Sequence, residues 1–318
     1  MVPEEAVLGI DTSCYTTSVA VLSLEGKLLA DERRLLKVKP GRRGLAQSEM
    51  VFQHTRNLPE LIEKINLAGI SLKAIGVSER PRPLEESYMP AFLAGLGTAR
   101  SLAHLLGLPL YTTTHQHNHM YAGLWSVGQE APERFLLVHI SGGTTDMLLA
   151  EKTPEGEVRL TPEGTSIDLH AGQFIDRVGV ALGLAFPAGA ALEKLAETAA
   201  KAYPLPVWTK ESQLSLSGPC TKALRAAQQG ADPAELALGV ETAIGQGLGK
   251  VLGYLCGKYN VTKVLLAGGV SANGEIRRQV GSALTKQGCQ LWAPEPRYSV
   301  DGAVGTAWYT AQKEGRKP

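Results

Sequence analysis

A chain of 318 residues that is 44% hydrophobic and 20% charged is long enough to bury more than one core, and two domains are expected. Its 32 lysines and arginines against 31 acidic residues exclude a strong overall field of either sign, so any attraction to nucleic acid must come from a local patch. Met1-Val2-Pro3-Glu4-Glu5 has neither the basic start nor the apolar run of a secretion signal, and no stretch reaches the roughly eighteen apolar residues of a membrane span. Cys14, Cys220, Cys256 and Cys289 form no CxxC pair. The expectation is a cytoplasmic protein with reduced thiols and no membrane partner.

In chain order, Val7 to Ile10 and Thr17 to Leu22 are apolar runs around the polar turn Asp11-Thr12-Ser13-Cys14-Tyr15-Thr16, and the turn Glu25-Gly26-Lys27 leads to Leu28-Leu29-Ala30. That pattern predicts a three-strand meander. Ser48 to Ile65 has helical spacing, broken near Pro59; Leu72 to Val77 reads as a strand, Ala91 to Leu106 as a helix and Pro109 to Tyr111 as a short strand. The charged, proline-containing segment 129–134 marks a boundary between a lobe at 1–130 and a lobe at 131–318, the final helix being a candidate to pack on the first lobe.

The opening pattern then recurs: Phe135 to Ile140, the turn Ser141-Gly142-Gly143-Thr144-Thr145, Met147 to Ala150, the turn Glu155-Gly156 and Val158-Arg159-Leu160. Two such meanders point to an internal duplication. Helices are expected over Phe174 to Leu182, Leu236 to Tyr259 and Gly302 to Glu314, with a buried strand at Val264 to Leu266, so the fold class is α/β, mixed sheets covered by helices.

Three turns carry glycine or hydroxyl residues suited to a nucleotide phosphate: Asp11-Thr12-Ser13 with Thr16-Thr17, Ser141-Gly142-Gly143-Thr144-Thr145, and Ala267-Gly268-Gly269-Val270-Ser271-Ala272-Asn273. Each alone is equally a structural turn; together they favour two lobes closing on a nucleotide. Thr114-His115-Gln116-His117-Asn118-His119 holds three of the seven histidines. On a helix His115 and His119 share one face and can share a metal while His117 points away; the threonines before them suit a helix cap. A pair requires another ligand. Asp301, before the final helix, is placed either to cap that helix or to reach into a cleft, and Asp176 faces either Arg177 or Lys194, or a ligand covered by the Phe186-Pro187-Ala188-Gly189 turn.

Gly9-Ile10-Asp11-Thr12-Ser13-Cys14, the His115 and His119 pair, Ser141-Gly142-Gly143, Asp168 to Asp176, Leu214-Ser215-Leu216-Ser217-Gly218 and Ala267 to Asn273 occur in the order found in the tRNA threonylcarbamoyl-adenosine synthase family, once labelled a sialoglycoprotein endopeptidase. The chain resembles that family over nearly its whole length. The resemblance implies a duplicated actin-like ATPase and sugar-kinase fold, two lobes around a nucleotide cleft. It implies one divalent metal, iron or zinc, on His115, His119 and Asp301, and substrate or nucleotide contacts at Ser141, Gly142, Gly143, Asp176, Gly189 and Asn273, with Asp11 a catalytic candidate. The activity implied is transfer of a threonylcarbamoyl group from threonylcarbamoyl-adenylate to N6 of adenosine 37 in tRNA, with helper proteins that include a family paralogue and a small ATPase.

Where the family has Asp-Glu-Thr after Thr-Ser-Cys, this chain has Tyr15-Thr16-Thr17. Arg80-Pro81-Arg82-Pro83-Leu84-Glu85 replaces a Gly-Pro-Gly-Leu stretch, Thr144 a histidine and Cys220 a lysine, and Val300-Asp301-Gly302-Ala303 stands for Asp-Asn-Gly-Ala. These departures mark a divergent paralogue. They leave as alternatives a carbamoyl or phosphoryl transferase acting on a small molecule and a nucleotide-binding, non-catalytic partner subunit. A peptidase is not expected, since there is no HExxH motif and no nucleophile-base set.

Overall fold

Asp11 ends a buried strand and Thr16 begins another; the apolar runs on either side of the turn become β1 (Glu4–Asp11) and β2 (Thr16–Ser23), paired antiparallel, with β3 (Leu28–Leu35) beyond them. A computed structural model of the protein describes residues 2–38 and 44–315. β3 runs past the three residues expected of it, because Asp31, Glu32, Arg33 and Arg34 suit a half-buried edge strand although they interrupt the apolar run. Next come α1 (Gln47–Ile62), β4 (Ile70–Arg80), α2 (Phe92–Leu106), β5 (Leu110–Thr114) and α3 (His115–Ser126). Contrary to the expected break, α1 runs through Pro59 and ends at Ile62, within a turn of the proline's missing donor. The five-stranded sheet has the order β3-β2-β1-β4-β5, with β4 and β5 parallel to β1.

The second meander is β6 (Arg134–Ile140), β7 (Thr145–Lys152) and β8 (Val158–Ser166). After it come α4 (Ala171–Ala181), α5 (Gly189–Ala196), the short strands β9 (Trp208–Lys210) and β10 (Gln213–Ser215), α6 (Ser217–Gln228) and the long α7 (Pro233–Tyr259). Strand β11 (Lys263–Ala267), a 3-10 turn over Gly269–Ala272, α8 (Gly274–Thr285), β12 (Gln290–Trp292) and α9 (Pro296–Ser299) complete the set. The seven-stranded sheet runs β12-β11-β6-β7-β8-β10-β9. Its portion β8-β7-β6-β11-β12 repeats the first sheet's order and strand directions, two antiparallel pairs followed by two parallel ones. The duplication is therefore present in topology as well as in sequence pattern.

Asp232 caps α7 by accepting the Ala234 and Glu235 N–H groups, and Pro233 occupies the first helical position, where no donor is needed. Gly245 and Gly249 stay in this helix because α8 lies against them: an added Cβ would stand 2.5 Å from Cβ of Gln279 and 2.6 Å from Cβ of Ala283. The last helix, α10 (Val304–Glu314), packs on β1, β4 and α3. Gly9 of β1 makes this possible, since a Cβ there would meet the Ala307 nitrogen at 2.6 Å and the Ala303 oxygen at 2.7 Å. The chain thus divides into a unit of residues 1–129 with 300–318 and a unit of residues 130–299. Each has its own core, Ile10, Val19, Leu58 and Ile75 in the first, Leu136, Phe174, Leu248 and Leu266 in the second. Among the described residues no helix is long and apolar enough to cross a membrane.

Candidate functional site

Helix α3 begins at a residue that was expected to cap it. Thr114 is extended (φ −105°, ψ 161°) and its hydroxyl accepts the His117 N–H at 3.3 Å. The helix then places His115 and His119 one turn apart, both buried, with their Nε2 atoms 3.1 Å from one another. Oδ1 of Asp301 lies 3.3 Å from Nε2 of His119 and 3.6 Å from Nε2 of His115. His117 turns away, its Nδ1 2.8 Å from the Thr114 hydroxyl.

Burial alone would discharge all three groups; neighbouring charge and hydrogen bonds prevail over it at His115 and Asp301 but not at His119. For His119, burial and then the charge of His115 outweigh Asp301 and Asp11, and its pKa falls. For His115, burial is outweighed by Asp11 and Asp301, and its pKa rises. Burial opposes the Asp301 carboxylate too, but His119, His115 and the Tyr15 backbone N–H take its pKa below the usual range. Asp11, fully buried, receives the Ser13 hydroxyl on Oδ2, while its Oδ1 accepts no hydrogen bond and stands 3.9 Å from Nδ1 of His115. Asp11 thus sits behind the His115 ring, on the side away from Asp301.

Two imidazole nitrogens and one carboxylate oxygen aimed at one another, each pair 3.1 to 3.6 Å apart, suit a cation. Donors bound at about 2.1 Å in tetrahedral geometry are about 3.4 Å apart. Neutral imidazole and carboxylate together suit zinc or iron. The buried, hydrogen-bond-poor Asp11 carboxylate at the back of His115 is the kind of outer partner that fixes a ligating histidine.

The hydroxyls of the first turn serve the fold. Thr12 bridges the Ala91 oxygen and the Gly95 N–H, and Thr17 bonds His54 and Asn57. His54 is buried, with its Nε2 3.3 Å from the Cys14 oxygen.

In the second unit, Gly142 and Gly143 are exposed and a side chain added at either would meet open space. The start of α4 seals the loop from below, with the Gly172 N–H on the Ser141 oxygen at 3.2 Å and the Ala171 N–H on the Thr145 hydroxyl at 2.9 Å. Asp176 pairs with neither Arg177 nor Lys194 in a salt bridge; its Oδ1 takes the Ala188 N–H at 2.7 Å and so fixes the residue before Gly189. Burial keeps the Asp176 carboxyl above its ordinary pKa. Asn273 is not left free as the turn alone suggested. Its Oδ1 caps α8 by accepting the Ile276 N–H at 2.9 Å, and its Nδ2 donates to Glu241 at 2.8 Å.

The contacts run from Ser141 through α4 to Asp176 and Gly189, then from Glu193 of α5 to the Gly274 N–H beside Asn273. Sequence reasoning missed Glu193 and Glu241. The one available signal was that Glu241 interrupts the apolar face of α7.

These arrangements can be set beside known proteins. The family model described as tRNA N6-adenosine threonylcarbamoyltransferase matches residues 42–308. The chain belongs to this family. The threonylcarbamoyltransferase of Thermosipho africanus is 29% identical over 325 residues, covering 97% of this chain and 95% of the other. Among solved structures, the activator of the 2-hydroxyisocaproyl-CoA dehydratase from Clostridium difficile aligns with TM-score 0.56 at 14% identity, covering 98% of this chain and 96% of that one. A ROK family glucokinase from Streptomyces griseus aligns with TM-score 0.55 at 14% identity, covering 97% and 99%. The fold is the actin-like ATPase and sugar-kinase fold.

Seen as a threonylcarbamoyltransferase family member, the chain explains some of its own departures. Of the two residues in place of the family's acids, Tyr15 is exposed and Thr16 is buried, while Thr17, which matches the family's threonine, bonds His54 and Asn57. Asp301 stands where an ungapped alignment puts the family's asparagine, yet its carboxylate faces both histidines. Cys220, in place of a lysine, is a buried core residue of α6.

Proposed function

We infer that this protein transfers the threonylcarbamoyl group of threonylcarbamoyl-adenylate to N6 of adenosine 37 in tRNA. The observation that carries the reading is the convergence of His115, His119 and Asp301 within 3.6 Å on a chain that belongs to the transferase family. These three residues would hold one divalent metal, iron or zinc, which when bound supplies a Lewis acid to polarise or orient the acyl donor. The turn Ser141-Gly142-Gly143 is suited to receive the phosphate of the adenylate, where the exposed backbone of its two glycines meets negative charge. Asp176, by holding Ala188, presents Gly189 to the nucleoside. Asn273, clamped between α8 and Glu241, offers its remaining amide proton there. Asp11, buried behind His115, acts through that ring and does not touch substrate. Helper proteins, among them a family paralogue and a small ATPase, and a cytoplasmic setting belong to the same reading.

The test is incubation of metal-loaded protein with freshly made threonylcarbamoyl-adenylate, with and without a tRNA carrying adenosine 37 and the helper proteins, followed by mass spectrometry of the nucleosides. Modified adenosine that disappears with His115→Ala is the expected result. Adenylate consumed without a modified nucleoside would point to another acceptor and overturn the assignment of tRNA. No consumption, beside an active family control, would favour a non-catalytic partner.

A further inference from the structure

Helix α10 starts without a cap of its own. Its N-cap residue is Ala303, which has no side-chain acceptor, and the carboxylate best placed in sequence to serve instead belongs to Asp301, two residues earlier. The structure gives the task to a residue far away in the chain. Oδ1 of Asn118, in the first turn of α3, accepts the Thr306 N–H at 2.8 Å, and its Nδ2 donates to the Gly302 oxygen at 2.8 Å.

Asn118 is 1% exposed, so its amide serves the fold at both ends. The two bonds fasten the residue after Asp301 and the first turn of α10 to the helix that carries His115 and His119. The approach is close: a Cβ at Gly305 would collide with the main-chain oxygen of Asn118. From the sheet, Arg33 adds a further hold, with Nη1 3.3 Å from the Asp301 oxygen and its guanidinium fixed on Asp31 at 2.8 and 3.0 Å. The main-chain oxygens of Asp301 and of the residue after it are therefore pinned, and the Asp301 carboxylate, relieved of capping, faces the histidines, 3.3 Å from His119.

We propose that Asn118 is the positioning residue of the metal centre: it caps α10 in place of Asp301 and clasps Gly302, and by doing so sets the third donor against His115 and His119. The proposal rests on the reading of those three side chains as metal ligands. It assigns to one helix both histidines and the control of the carboxylate that completes them, so that α3 carries the site as a unit. Outer partners of this kind govern affinity because an unanchored ligand must be ordered at the moment of binding.

The experiment uses the full chain, stripped of metal and titrated with Co2+, with affinity read by chelator competition and ligand geometry by the visible spectrum. The proteins compared are wild type, Asn118→Ala, Asn118→Leu, Asp301→Ala and the Asn118→Ala, Asp301→Ala double variant; the leucine change retains the bulk of the side chain should alanine fail to fold. Asn118→Ala or Asn118→Leu is expected to weaken Co2+ binding roughly 10- to 100-fold and to alter the spectrum. Asn118→Ala should add nothing once Asp301 is already alanine, the non-additivity of residues acting through one another. A lower melting temperature of the metal-free variants with unchanged Co2+ affinity would reduce Asn118 to a structural cap and overturn the proposal. So would an equal loss with and without Asp301. Wild-type protein that takes up no Co2+ would overturn the metal reading itself, and this proposal with it.

Discussion

Glu241→Gln tests how the second unit holds its proposed nucleoside contact. Glu241 is 1% exposed on α7, with Oε1 2.8 Å from Nδ2 of Asn273. Burial raises its pKa from 4.5 to about 7; the Asn273 bond opposes the rise, and Glu193, Glu275 and Glu197 add to it. Such a group binds its proton more tightly folded than unfolded. Its stabilising contribution is therefore complete below the unfolded value of 4.5 and is lost as pH rises through the folded value of about 7. At about 1.4 kcal/mol per pKa unit, the wild-type protein loses about 2 kcal/mol from this group between roughly pH 5.5 and pH 8.

The glutamine keeps an acceptor for Asn273 and has no proton to lose. Native-state hydrogen exchange of α7 amides reads the opening of this core, and comparing the two proteins at the same pH cancels intrinsic exchange rates. The variant's protection relative to wild type should grow by about 2 kcal/mol from the lower pH to the higher. A difference that is the same at both pH values, or a variant less protected at the higher one, would refute the account of Glu241 as a strained buried acid.

Replacing His115 and His119 together by alanine should abolish equimolar metal, measured by plasma mass spectrometry on the purified protein, while far-ultraviolet circular dichroism stays unchanged. Asp168 accepts the Ser215 and Ser217 hydroxyls and the Leu216 and Ser217 N–H groups at the start of α6, so Asp168→Ala should cost about 1 to 2 kcal/mol in denaturant unfolding. Burial works against its carboxylate, but those four bonds prevail and lower the pKa. The stabilisation is then present above the unfolded value of 3.8 and fades as pH falls through the lower folded one, which acid titration of both proteins would reveal. Gly305→Ala forces α10 away from Asn118 and should lower the melting temperature by an overpacking cost of about 1 to 3 kcal/mol, with weaker Co2+ binding in the same sample.

Local pattern was legible wherever one element could be judged by its own residues. Both meanders, with their polar turns at Asp11 and Ser141, were readable because short apolar runs bounded by polar and glycine-containing turns are local signals, and the same is true of the Thr114 cap and the one-turn spacing of His115 and His119. The three-residue strands β9, β10 and β12 offer no period to detect, and α5 and α6 follow turns whose capping is supplied from elsewhere. The capping carboxylate of α6, Asp168, stands 48 and 49 residues before Leu216 and Ser217, so no local cap motif announces that helix. Edge-strand β3 was underestimated for the opposite reason: its charges are paired, Arg33 with Asp31, and do not end the strand.

The site was harder to read than the fold because its decisive relations are bonds between distant residues. Asn273 looked available in its turn, yet the amide of this side chain is claimed from α7 by Glu241, 32 positions earlier. The sequence placed Asp301 either to cap the final helix or to reach into a cleft, and only the family resemblance set it with His115 and His119. What adjoins Asp301 in the chain leaves that choice open, because the cap of α10 comes from Asn118, 184 positions from Gly302 and 188 from Thr306. Once Asn118 supplies the acceptor that the start of α10 requires, the carboxylate of Asp301 is no longer needed there. The Asp301 carboxylate can then face His115 and His119, because the backbone that carries it is held by hydrogen bonds to their own helix. On the proposed metal reading, the placement of the Asp301 loop follows from the α3–α10 contact, and a substitution at Asn118 or Gly305 is expected to alter the centre without touching a ligand.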